Sequence, residues 1–250
     1  MTGVRLERRN YGRGHGYKLD GEKIVGVTTV IDVLDKPALR QWYANEAAKR
    51  VVDEWDRIVG MAPSERLEFV KYGARDVMRA AALRGTQIHD LGEKVTHGEP
   101  VDVPDEHKGP VEAYARFLDE WDIEPIASET PLFNATHRYG GTADLWCRVG
   151  RRDNAVALLD IKTGKGVYDE VGLQLAAYRF SEFIQPEKGV EIPTPEVDLV
   201  YVAHVLPDDV RMVPITANEV VFRDFLYILQ AYRHREACEE WPLVGTAELP

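Results

Sequence analysis

The order of periodic segments in this 250-residue chain predicts an α/β protein, with a central mixed β-sheet flanked by helices and a helical N-terminal half. Three observations carry that reading. YGGTADLWCRV (139–149) and AVALLDIKT (155–163) are apolar, β-prone runs. The turn-forming sequence GRRDN (150–154) joins them as a hairpin. Apolar residues at helical spacing dominate 37–96 and 111–121 before the sheet and recur after it.

The elements follow in chain order. Residues 1–27 suggest a short β element turning at Leu19-Asp20-Gly21-Glu22, and Thr28 or Thr29 is placed to cap a helix start. Pro37 opens a helix, ALRQWYANEAAKRVVDEW, as proline does at a first helical position. Met61 to Ser64 breaks it, and a long helix runs from about Glu65 to Thr96. Gly98 to Pro110 is a polar connection, Val111 to Trp121 is helical, and the sheet begins near Ile126. After the hairpin, Tyr168 to Phe183 reads as a helix and Gln185 to Pro195 as a loop. VDLVYVAHVL and VRMVPIT are two further strands split by Pro207-Asp208-Asp209, and Asn218 to Ala237 is a last helix. There is no internal repeat, low-complexity tract or interdomain linker. The expectation is one domain, 1–250, with a mainly helical part over 1–125 and a sheet-and-helix core over 126–240.

Composition fits a soluble enzyme. At 44% hydrophobic residues the chain can bury a sizeable core. No apolar run approaches the ~20 residues that span a membrane. MTGVRLERRN lacks the apolar stretch of a signal peptide. Two cysteines, Cys147 and Cys238, make no disulfide scaffold and no four-thiolate cluster, so a reducing cytoplasmic compartment is expected. The net charge of −11 speaks against nucleic acid in bulk. Locally it does not. Residues 1–20 hold Arg5, Arg8, Arg9, Arg13 and Lys18 against Glu7 and Asp20, five minus two, or +3. Arg138 precedes Asp144, Arg148, Arg151 and Arg152 sit on the hairpin, and Arg179 follows Tyr178. A basic groove on an acidic body is the reading these allow, against ordinary solvated surface.

The chemistry-bearing residues are Asp144, Asp160, Lys162, Gln174 and Tyr178. Strand side chains alternate, so Asp160 and Lys162 point one way and Leu159 and Ile161 the other. Asp144 sits beside Asp160 across the hairpin. Carboxylate oxygens suit Mg²⁺ or Mn²⁺. Such an ion polarises a phosphoryl oxygen and activates water, and Lys162 is placed to orient that water or to stabilise charge in the transition state. Gln174 and Tyr178 share a helix face.

In order and spacing, Gly141-x-x-Asp144, Asp160-Ile161-Lys162 and Gln174-x-x-x-Tyr178 resemble the G-x-x-D, D/E-x-K and Q-x-x-x-Y motifs of the PD-(D/E)XK nuclease superfamily, in its RecB-like and phage-exonuclease branch. That branch also carries G-T-x-x-H on an upstream helix, matched by Gly85, Thr86 and His89. The likeness runs from about Arg84 to about Leu206, and VGVTTVIDVLDKPALRQWYANEAA also looks like the phage members. The resemblance implies a restriction-endonuclease-like core and a metal held by His89, Asp144 and Asp160. Glu129 and the backbone carbonyl of Ile161 are further candidate ligands. Thr163, Lys165, Arg138 and Arg179 are candidate substrate contacts. It implies DNA as partner, with a single-strand annealing protein or a helicase as a protein partner. Relatives with an iron–sulfur cluster use four cysteines, which this chain lacks, so no such cluster is expected.

Each piece alone has a plainer reading. D/E-x-K recurs as Glu106-His107-Lys108 in a polar stretch. His89 alone is a helix-surface histidine, Gln174 and Tyr178 a helix surface and core edge, and Glu129 an edge-strand glutamate. Thr163 and Lys165 alone belong to a glycine-rich turn. Order, spacing and setting together favour the joint reading. The expected function is a metal-dependent DNA exonuclease of phage or bacterial recombination and repair. The alternatives are a structure-specific or restriction-type endonuclease, or an inactive nucleic-acid-binding module on the same fold.

Overall fold

A computed structural model describes residues 5–11, 14–241, 243 and 244. Arg13, counted in the basic N-terminal stretch, lies outside them. The chain is mixed α/β, with a curled mixed sheet and flanking helices. It divides into two compact units, 1–34 with 91–250, and 35–90.

The smaller unit is helical. α2 (Pro37–Asp53) begins with proline at its first turn, and α3 (Trp55–Val59) is short. α4 (Pro63–Thr96) runs on into the larger unit. Arg50 of α2 donates to the Phe69 carbonyl at 2.8 Å and lies over the Phe69 ring. This cation–π contact ties α2 to α4.

The larger unit holds the sheet. β1 (Leu6–Tyr11), β2 (Gly14–Leu19) and β3 (Glu22–Gly26) form an antiparallel meander. Its second turn is Asp20-Gly21, both at positive φ (52° and 84°), as a two-residue hairpin loop demands. α1 (Val27–Ile31) follows. Its N-cap is Gly26, and no side chain caps it, so the expected Thr28 or Thr29 cap is not formed. Both threonines lie inside the helix, because Val27, Val30 and Ile31 are buried and fix its start one residue earlier.

α5 (Lys108–Trp121) leads into β4 (Ile123–Asn134), β5 (Tyr139–Val149) and β6 (Ala155–Lys162). The β5–β6 turn ends in Asp153 and Asn154, both left-handed, a conformation these residue types tolerate. α6 (Glu170–Arg179) stops short of the expected Phe183. Phe183 instead opens β7 (Phe183–Glu187), which pairs with β4 and with β8 (Val190–Pro193). The expected loop over 185–195 is therefore mostly a hairpin, turned by Gly189 at φ 86°. β9 (Leu199–Val205), β10 (Val210–Pro214) and α7 (Glu219–Glu240) complete the unit. Asn218 caps α7 by accepting from the Val220 and Val221 amides.

β5 is the branching strand. It pairs with β4 along one edge. Along the other edge it pairs with β3 at Tyr139 and Gly140, in parallel, and with β6 from Leu145 to Val149. β6 then pairs in parallel with β9 over 157–162. Strand β6 is buried on both faces, which explains its unbroken apolar run. Trp146, Leu158, Val202, Leu175, Phe225 and Leu229 share one core under α6 and α7. Truncating one of these, as in Leu158→Ala, costs about 2–5 kcal/mol. No helix among the described residues is long and apolar enough to cross a membrane.

Candidate active site

Between the β3 and β6 pairings, residues 141–144 of β5 have no strand on that edge among the described residues. Asp144 stands at the end of this gap. Its Oδ2 accepts the Ile161 backbone N–H at 2.7 Å. A charged acceptor thus takes a strand-end donor, a strong pairing that fixes the carboxylate against β6.

Asp160 is 1% exposed. Its charge is met from two sides. Lys162 Nζ stands 2.7 Å from Oδ2, and Gln174 Nε2 donates to Oδ1 at 3.1 Å. The same amide donates to the Tyr178 hydroxyl at 3.2 Å. An amide NH₂ has two protons, so one glutamine serves both acceptors. Gln174 and Tyr178, four apart on α6, are therefore joined to each other and to the buried acid.

Burial alone pulls the Lys162 pKa down, but the Asp160 and Asp144 charges and the Asp160 hydrogen bond outweigh it, and the net direction is upward. Lys162 is thereby held as an ammonium beside Asp160. Burial pushes the Tyr178 phenol well up, aided by Tyr17, Asp160 and Asp144, so it stays protonated. Tyr178 is also the reason for Gly141. A Cβ at 141 would stand 2.6 Å from the Tyr178 ring.

Glu129 of β4 lies opposite Asp144 of β5, between the pairs Ser128↔Leu145 and Thr130↔Ala143. One carboxylate oxygen from each acid lies within 4.8 Å of the other. Glu129 has φ 43°, a conformation that strains a non-glycine residue by about 1–3 kcal/mol. His97 Nε2 and Ser128 Oγ are 2.6 Å apart, and Thr130 Oγ1 donates to the Ser128 carbonyl at 2.9 Å.

The remaining predicted residues are spread more widely. Ile161 pairs with Ala203 of β9 between the two site residues. Half-buried Thr163 and exposed Lys165 lie on the loop after β6. His204 holds that loop through a 2.8 Å contact between Nε2 and the Gly164 carbonyl. His204 is 8% exposed and faces Lys162 in the β6–β9 register. Sequence reasoning passed it over. Its one signal is a lone imidazole in the apolar run LVYVAHV.

Arg138 pairs with Glu22 at 2.6 Å. Arg179 donates to the carbonyls of Val197 and Ala217 and secures α6. Arg148, Arg151 and Arg152 lie toward the turn of the β5–β6 hairpin, opposite the end that carries the acids. Arg152 covers the Trp121 ring. These arginines are not gathered around the acids. His89 lies on α4 in the other unit, two residues before Leu91.

No protein-family model matches the chain, and a search of curated proteins finds no match either.

Proposed function

We propose that this chain is a divalent-metal-dependent nuclease that hydrolyses phosphodiester bonds in DNA, built on a PD-(D/E)XK core. The observation that carries the reading is the Lys162 ammonium, 2.7 Å from a carboxylate that is 1% exposed, on the strand beside Asp144. A carboxylate buried beside an ammonium is a mark of a functional site, since its burial must be offset. The run α5, β4–β5–β6, α6, β9 supports the core assignment.

The donor set suits a hard cation, since Glu129, Asp144 and Asp160 offer only carboxylate oxygens. Asp144 and Asp160 would hold it, joined by Glu129, by the Ile161 carbonyl and, on the strength of the Gly85-Thr86-His89 motif, by His89. The ion supplies Lewis acidity toward a phosphoryl oxygen. The chain supplies the rest. Lys162 presents a fixed positive charge where negative charge grows on the phosphoryl group. Gln174 holds the Asp160 carboxylate at one angle. Tyr178, a neutral phenol, accepts from Gln174 and fills the space left by Gly141.

The test uses linear and closed-circular plasmid with Mg²⁺, with Mn²⁺ and with chelator. Loss of linear DNA alone, dependent on metal, is expected and marks an exonuclease. Nicked circles would mark an endonuclease. Intact DNA in every tube removes the nuclease reading.

A further inference from the structure

His204 is buried beside the candidate site, and the chemistry proposed above does not use it. The parallel register sets it opposite Lys162, on the sheet face that also carries Asp160. Its Nε2 stands 2.8 Å from the Gly164 carbonyl oxygen. A carbonyl only accepts, so Nε2 carries the proton and donates. A histidine 8% exposed is thus committed to one peptide group, two residues beyond Lys162.

That peptide group has a second end. In a trans peptide the N–H points opposite to the C=O. Drawing the Gly164 oxygen toward His204 therefore turns the Lys165 N–H away from His204. Gly164 and Lys165 are exposed. The Lys165 amide lies between Gly164 and Gly166, and the fold asks for glycine at neither. Neither has positive φ. A Cβ at 164 would meet nothing nearer than 3.9 Å, and one at 166 nothing nearer than 3.8 Å. A glycine that neither conformation nor packing requires leaves the backbone open to close approach by a ligand.

We infer that His204 is a positioning residue, which aims the Lys165 backbone N–H, flanked by two glycines, at a phosphate oxygen of DNA bound at Asp144 and Asp160. The inference rests on the nuclease reading for the identity of the ligand. Backbone amides take a regular share of DNA phosphate contacts, and they fix the strand in register without reading its sequence. Here that amide follows Lys162 by three residues, so the strand is held beside the cation that faces the reacting phosphoryl group.

Two kinds of variant test this in the full chain. Gly164→Ala and Gly166→Ala each add a methyl where there is room, so both should melt at or above the wild-type temperature. Both should weaken DNA binding about tenfold, because the methyl keeps the phosphate from the amide. His204→Gln carries an N–H as many bonds from the backbone as Nε2, whereas the amide of His204→Asn is one bond short. The glutamine variant should bind DNA within about twofold of the wild type, and the asparagine variant about tenfold more weakly. The probe is a short fluorescein-labelled duplex read by anisotropy, with Ca²⁺ replacing Mg²⁺ to neutralise the acids. On linear plasmid with Mg²⁺, the weakened variants should show a raised KM and a kcat little changed, since the amide serves ground and transition states alike. Alanine variants that bind like the wild type overturn the inference, as do a glutamine variant no better than asparagine and a wild type that binds no DNA. A loss confined to kcat also overturns it, since His204 then acts on Lys162 and not on the amide. If His204→Asn unfolds, the two glycine variants decide. A wild type that binds the duplex but cuts no plasmid sinks the nuclease reading alone, and the binding measurements still decide the role of His204.

Discussion

The chain holds the acid-x-lysine pattern twice, and the two copies sit in opposite settings. Asp160-Ile161-Lys162 lies on a strand buried on both faces, with its acid 1% exposed and bonded by Gln174. Glu106-His107-Lys108 lies where a 3₁₀ turn enters α5. The Glu106 side chain is 75% exposed, and Lys108 pairs with Asp105, which is 94% exposed. An ion pair in water is worth about 0–1 kcal/mol and leaves both groups with ordinary chemistry. A pair shielded from water has stronger fields and needs every lone pair met. What sets the Asp160 copy apart as a candidate site is burial and the glutamine four residues before Tyr178.

The largest expected effect breaks the buried copy. Asp160→Asn and Asp144→Asn should each lower cleavage of linear DNA by at least about a thousandfold, because a charged ligand is lost. Calorimetry should show weakened Mn²⁺ binding. Near-normal cleavage by either variant would take that residue out of the site. Lys162→Ala should lower kcat by about 10²–10³ with KM little changed, since its charge matters most in the transition state. Lys162→Arg should restore only part of this, as a planar guanidinium does not replace a compact ammonium. A rise in KM alone would make Lys162 a substrate contact.

His89→Ala should weaken Mn²⁺ more than Mg²⁺, about tenfold, because imidazole favours the softer ion. Equal binding of both ions to variant and wild type would leave His89 a helix-surface residue. Cys147 tests burial without a counter-charge. Burial pushes its thiol up to about 12. Only Cys238 should react quickly with a disulfide reagent at about pH 8, and Cys147 only after unfolding. The unfolded thiol ionises at about 9 and the folded one at about 12, so its contribution to stability is complete below about 9 and fades as pH rises from there. Urea midpoints across that range give the sign. The smallest effect belongs to the exposed copy. Glu106→Gln with Lys108→Gln should leave cleavage at the wild-type rate and stability within about 0.5 kcal/mol. A large loss there would undo the contrast.

What was legible in the sequence depended on whether local chemistry decided the outcome. β5 and β6 were legible because Tyr139–Val149 and Ala155–Lys162 are apolar runs around a turn that favours left-handed residues. α7 was legible from Asn218 and its helical spacing. The β7–β8 hairpin was not, since Pro186 and Pro193 and the charged Glu187, Lys188 and Glu191 disguise two short strands whose support comes from β4. The acid pair, the lysine and Gln174 follow from spacing on a hairpin and a helix. His204 does not, because its place beside Lys162 depends on a parallel pairing between strands about forty residues apart. The strained backbone of Glu129 was equally hidden, since φ at one residue of a long strand leaves no mark on composition.

Gly141 and Tyr178 carry a consequence for how such chains can vary. They stand thirty-seven positions apart, on β5 and α6, yet the absent Cβ of one is the space filled by the ring of the other. Any family built on this geometry should show the two positions changing together. An alanine at 141 calls for something slimmer than tyrosine at 178, and Gln174 then loses one of its two acceptors. Drift at the glycine is therefore drift at the acid, two steps removed, and a designer moving this site to another scaffold must transplant the pair as one part.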